Sequence, residues 1–300
     1  MSFDVVCTGP VFLDLTFEGL NELPAPGRER FAVELHETPG GAAITAVGLA
    51  RLGLRVAVAA PLGSDVAGAI VSRLLEAYGV SCAGATSGRT PVTTVLPFDG
   101  ERAFVTFDPS ARVEPALVEG LRPRAVVVGL DQLHLVPEGA LAYVVVGDRE
   151  ADRHGGALPP EVGRAQALLA NRFEAERLTG EGDAEAAALR LAERVPVAVV
   201  SGGARGAVAA SDGNVFDFSA PEMEVRDTTG AGDLLAAAYV WGDLEGLPLV
   251  ERLRRAVVYS ALSVRAATGV AGAVTSDELE RALAELDPAI MQTASAKEGA

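Results

Sequence analysis

Residues 226–233, Arg-Asp-Thr-Thr-Gly-Ala-Gly-Asp, carry the most pointed chemistry in the chain. A Gly-Ala-Gly turn lets successive backbone amides converge with no side chain in the way. The apolar run Leu234–Trp241 that follows reads as a helix. Helix N-termini attract anions through their free amides and aligned peptide dipoles. Asp233, in the first turn of that helix, stands beside the point where an anion would rest. There it could take a proton from an attacking hydroxyl, and phosphoryl transfer needs little more than that, positioning and charge neutralisation. An aspartate capping a tight turn, with no part in chemistry, is the other reading of the same residues.

Composition narrows the choice. Lys297 is the only lysine, near the end of a 300-residue chain. A Walker A loop or a Schiff base in the folded body is therefore nearly excluded. Phosphate chemistry must rest on backbone amides, arginines and metal. The net charge of −16 argues against nucleic-acid and membrane-surface partners, which are polyanions. The start of the chain shows neither a basic nor an apolar leader region, and no apolar run is long enough to span a bilayer. Cys7 and Cys82, two distant thiols, suit a reducing cytosol and are expected in the core.

The elements that must position these residues follow from periodicity. Val5–Thr8 reads as a strand ending at Gly9-Pro10, and Arg55–Ala60 as another. Ala42–Leu52 has helical spacing and ends at Gly53, and Asp65 caps a helix running to Tyr78. Residues 17–38 and 90–108 alternate as short strands, the latter turning at Asp99-Gly100. Further on, strands at 125–129, 143–147 and 195–201 alternate with helices at 114–120, 160–170, 172–179 and 183–194. A hairpin turns at Asp212-Gly213, and helices at 231–242, 247–268 and 276–286 close the chain. This rhythm predicts an α/β fold: a doubly wound, mostly parallel sheet flanked by helices, with extra β-segments that could pair into a small sheet. The expected division is an α/β domain at 1–16, 39–89 and 109–290, the small sheet at 17–38 and 90–108, and a flexible tail at 291–300.

Asp227–Asp233 resembles the C-terminal signature of the ribokinase-like, or PfkB, carbohydrate kinases. Pro39-Gly40-Gly41 followed by Ala46–Gly53 resembles that family's first signature. Asn171 and Glu174 resemble its Asn-x-x-Glu element, Ser201–Gly206 its strand and turn at the nucleotide, and Gly9 with Asp14 its first substrate loop. The matches keep the family's order from residue 9 to about 275. The resemblance implies ATP and Mg²⁺ as cofactors, Asp233 as the base, and the Gly230, Ala231 and Gly232 amides as the anion hole. It places Asn171, Glu174, Ser201, Gly203, Gly206 and Thr228 at the nucleotide, with Glu174 acting indirectly on Mg²⁺. It places Asp14, Gly40, Gly41 and Ile44 at the acceptor, and gives Asp227 and Thr229 a monovalent cation such as K⁺. Residues 17–38 and 90–108 resemble the family's β-lid, which is expected to shut out water and to offer a homodimer surface.

Ile44 stands where the family commonly has an asparagine that points at the sugar. This departure leaves the acceptor open. The leading expectation is a cytoplasmic kinase of a sugar or sugar acid. A nucleoside kinase with an apolar pocket around Phe12, Ile44 and Phe104 is the alternative enzyme, and a non-catalytic sugar or nucleotide sensor is the alternative class. His36, His134 and His154 have no metal spacing, and Arg102, Arg172, Asp148 and Trp241 are assigned no firm role.

Overall fold

The structure is a computed structural model and describes residues 2–20, 22–84, 88–98, 101–109 and 112–286. Strand β1 (Phe3–Thr8) leads through Gly9-Pro10 into β2 (Val11–Glu18), and β3 (Glu34–Gly41) runs straight into helix α1 (Ala42–Arg51). Then come β4 (Val56–Ala59), α2 (Val66–Ala77), β5 (Ser81–Ala83), and the hairpin β6 (Val92–Phe98) and β7 (Glu101–Phe107). The middle of the chain supplies α3 (Pro115–Gly120), β8 (Pro123–Val128), β9 (Leu141–Val145), α4 (Asp148–Arg153) and β10 (Ala165–Asn171). After these follow α5 (Arg172–Thr179), α6 (Ala184–Ala192), β11 (Val197–Ser201), β12 (Ala207–Ser211) and β13 (Asn214–Phe218). Helices α7 (Ala231–Leu244), α8 (Leu249–Ser263) and α9 (Ser276–Glu285) complete the described fold.

Nine described strands form the main sheet in the order β13-β12-β11-β10-β9-β8-β1-β4-β5. From β10 to β5 every pairing is parallel, and β12 and β13 add an antiparallel edge. Parallel strands buried on both faces need continuous apolar sequence, and Ala125–Val128 and Val56–Ala59 are buried throughout. The chain leaves β1 for β4 and β5, then returns on the other side of β1 to β8. Ligands of doubly wound sheets bind at such a reversal, outside the carboxyl ends of the strands.

The stretch 160–170, expected as a helix, is instead a short 3₁₀ turn (Pro160–Arg164) followed by β10. Ala-Gln-Ala-Leu-Leu-Ala favours a helix by propensity, but it fills the slot between β9 and β11. There its apolar side chains are buried on both faces, and context outweighs propensity. Cys7 is buried in β1, whereas Cys82 on β5 is exposed, so the core expectation holds for one thiol only.

The small sheet, ordered β3-β2-β6-β7, takes in more chain than 17–38: β2 begins at Val11 and β3 ends at Gly41. Asp14 is therefore a strand residue and not a loop residue. The entry to β6 is pinned by Asp65, the N-cap of α2. Its carboxylate accepts from the Thr90 hydroxyl at 2.6 Å, the Thr90 amide at 3.1 Å and the Gly68 amide at 3.0 Å. The turn at 99–100 and the tail at 291–300 lie outside the described residues.

Candidate functional site

Gly230 is the N-cap of α7 in the left-handed region, with φ of 74°. A side chain there would be strained, and its Cβ would lie 2.9 Å from Ile44 Cγ2. The turn is closed by the Ala231 amide on the Thr228 carbonyl at 3.3 Å, and by Asp227 Oδ1 accepting the Thr229 amide at 2.7 Å. The Ala231 amide is thus partly engaged within the turn. From α8, the Ser260 hydroxyl donates to the Ala231 carbonyl at 2.9 Å and steadies the first turn of α7.

Asp233 is half-buried at the third position of α7. Burial pushes its carboxyl up to about 6, against a hydrogen bond from Thr45 that pulls the other way. That bond crosses from α1: Thr45 Oγ1 lies 3.3 Å from Asp233 Oδ1 and 3.4 Å from the Asp233 carbonyl oxygen. The two helices touch one turn further on. A Cβ at Gly48 would meet Leu234 Cδ2 at 2.7 Å and Ala237 Cβ at 2.8 Å, so a side chain there would push the crossing apart. Thr45 was not singled out by the sequence reading. It is the only hydroxyl residue in a helix that is apolar from Ala42 to Ala50 apart from it, and a polar group buried in such a place needs a partner.

Asp14 reaches the site from β2. A Cβ at Gly40, on the neighbouring strand, would overlap its carboxylate, which explains the glycine there. Burial first, and then the negative charge of Asp233, raise Asp14 to about 7. Gly41 passes close to the Phe12 ring, 2.9 Å from Cδ2 to a built Cβ. Ile44, expected at the acceptor, is buried. It is 5% exposed and packs under the turn against Gly230 and Gly269, so it braces the anion turn and offers almost no surface to a ligand. Phe12 lies half-buried and Phe104 exposed, both on the lid face that carries Asp14.

Asn171 ends β10 in register with Ser201 at the end of β11, which places the two on one sheet edge. Asn171 caps α5. Its Oδ1 accepts the Phe173 and Glu174 amides at 2.9 and 3.0 Å, and Glu174 Oε2 accepts the Asn171 amide at 2.7 Å. Glu174 is buried, and burial pushes it to about 7, with the charges of Asp148 and Asp233 adding to the rise. Gly203 and Gly206 form the turn between β11 and β12, closed by the Gly202 amide on the Gly206 carbonyl at 2.7 Å. At β1, the Thr8 hydroxyl donates to Gln132 Oε1 at 3.0 Å, bridging the strand reversal. Arg226 ties the signature segment to the lid through Glu18 at 3.0 Å, and Glu18 in turn meets His36 at 2.8 Å.

Three carboxylates with raised protonation thresholds thus converge electrostatically around a helix N-terminus at the reversal of the sheet. Such a site suits an anionic ligand that arrives with its own cation. The fold is that of ribokinases. It matches ribokinase from Thermotoga maritima with a TM-score of 0.81 at 20% identity, covering 94% of this chain and 100% of the other. It matches Arabidopsis thaliana ribokinase, solved with ribose and ATP, with a TM-score of 0.78 at 21% identity, covering 96% and 100%.

The pfkB family carbohydrate kinase profile matches residues 3–121 and 159–275, and the chain belongs to that family. A bifunctional protein HldE from Halorhodospira halophila (strain DSM 244 / SL1) is 31% identical over 310 residues, covering 93% of this chain and 63% of its own length. The chain spans less than two thirds of the length of the curated relatives it matches. Among the described residues no helix is long and apolar enough to cross a membrane.

Proposed function

We propose that the chain transfers the γ-phosphate of ATP to a hydroxyl of a sugar or sugar acid, with Asp233 as the base. The supporting observation is the placement of Asp233: a half-buried carboxylate in the first turn of α7, behind a left-handed glycine turn and opposite the lid's Asp14. The acceptor hydroxyl lies between Asp233 and the phosphate, and Asp14 accepts hydrogen bonds from neighbouring hydroxyls on the same molecule. As the alcohol attacks, its proton passes to an Asp233 oxygen, and the amides of Gly230, Ala231 and Gly232 face the charge on the transferring group. Ser201, Gly203, Gly206, Thr228 and Asn171 line the nucleotide side.

The raised carboxyl of Glu174 and the lone lysine fit a site completed by Mg²⁺, which Glu174 would hold indirectly. When bound, the ion supplies the positive charge that offsets the triphosphate. Asp227 and Thr229 would hold a monovalent cation. The lid excludes water as a competing acceptor. Its outward face carries exposed Leu35, Val105 and Phe107, which suits pairing with a second copy. The working place of such an enzyme is the cytoplasm.

The test is ³¹P NMR of MgATP incubated with aldoses and ketoses of five to seven carbons, keto-deoxy acids and nucleosides. A new phosphate ester from a sugar or sugar acid is the expected outcome. An ester formed only from nucleosides would favour the nucleoside kinase, for which Phe12 and Phe104 beside Asp14 would be the pocket. Binding of ATP or sugar without any ester would favour the sensor.

A further inference from the structure

We propose that Thr45 is a positioning residue for the base, its hydroxyl holding the Asp233 carboxylate in the ionised state that can accept a proton. The inference rests on the reading of Asp233 as that base. One hydroxyl proton faces two acceptors of nearly equal distance, Asp233 Oδ1 at 3.3 Å and the Asp233 main-chain carbonyl at 3.4 Å. An ionised carboxylate is the stronger acceptor and wins the proton. Once Asp233 has taken up the alcohol's proton, the carbonyl is a fair alternative, so the hydroxyl is not stranded. The bond is thus made preferentially to the form that begins the reaction.

Geometry makes this contact a fixed one. Thr45 is 2% exposed, on the buried face of α1. Its distance to Asp233 is set one turn away, where Gly48 lets α1 lie directly on Leu234 and Ala237 of α7. The charge of Asp233 is felt on other elements. Cys7 on β1, Asp14 on β2 and Glu174 on α5 each sense its negative charge. Burial disfavours the ionised base. The Thr45 hydroxyl is the side-chain contact that opposes it, together with a hydrogen bond from Asp233's own backbone.

The experiment is a ¹³C NMR titration of aspartate carboxyls in the ligand-free protein, with the Asp233 signal assigned by its loss in Asp233→Asn. The wild type should titrate near pH 6 at this residue. Thr45→Val keeps the shape and removes the donor, and the midpoint should rise by about one pH unit. Thr45→Ser should restore it. Should Thr45→Val not fold, Thr45→Ala serves in its place, with the same rise expected. A midpoint within about 0.2 pH unit of wild type in the Val or Ala variant would overturn the proposal, as would a Ser variant that behaves like Val. The titration needs no substrate, so it stands or falls apart from the base assignment. That assignment is judged by whether Asp233→Asn loses turnover.

Discussion

Asp233, half-buried, and Glu174, buried, were legible to different degrees. Asp233 was marked by the glycine turn before it, because few other sequences bring bare amides to a helix start. Glu174 was ambiguous, since a glutamate three residues after an asparagine also makes a capping box, and it makes one here. Its burial was invisible in the sequence and has a consequence for stability. Its folded value of about 7 lies above the ordinary 4.5, so its ionisation opposes folding. The contribution is favourable below about pH 4.5 and is lost as pH rises through about 7, a change of about 3 kcal/mol. Glu174→Gln should therefore flatten the fall in melting temperature between pH 5 and 8, measured by calorimetry without ligand. An unchanged slope would show that the carboxylate is not held in a low-dielectric setting.

At the scale of elements, α1 and α7 decide where the site can form. Their crossing depends on Gly48, which the sequence showed only as one small residue in an alanine-rich helix. Nothing in the periodicity of Ala42–Leu52 says which face meets α7, because almost every position is apolar. Gly48→Val should destabilise the fold by roughly 1–3 kcal/mol through overpacking against Leu234 and Ala237. Urea denaturation would measure it, and a variant as stable as wild type would mean that the helices are not in contact there. The strand β10 was misread for a related reason. Alanine and leucine specify a helix by themselves, and only the neighbouring strands make them a sheet interior.

At the scale of the molecule, the doubly wound order was readable from the alternation of strands and helices. The extent of the small sheet was not, because only the two-residue Gly9-Pro10 turn separates β1 from β2, and β3 runs into α1 at Gly41 with no loop at all. Leu35, Val105 and Phe107 share the lid face opposite Asp14 and are 48, 66 and 48% exposed. Sedimentation should find a dimer at micromolar concentration, and Val105→Glu should shift it to monomer. A wild type that sediments as a monomer would refute pairing through this face. The comparisons reach as far as the family. On the proposed reading the acceptor would be chosen by side chains around Asp14, and the buried Ile44 would act on it only through the turn at Gly230.

The most direct test of the account is the rate of ester formation from MgATP and the acceptor found by ³¹P NMR, compared between wild type and Asp233→Asn at pH 8. The amide keeps the size of the side chain but cannot take the alcohol's proton. A loss of about 10²–10⁴-fold in kcat, with KM for ATP little changed, is expected. An Asn variant that turns over at the wild-type rate would contradict the central claim.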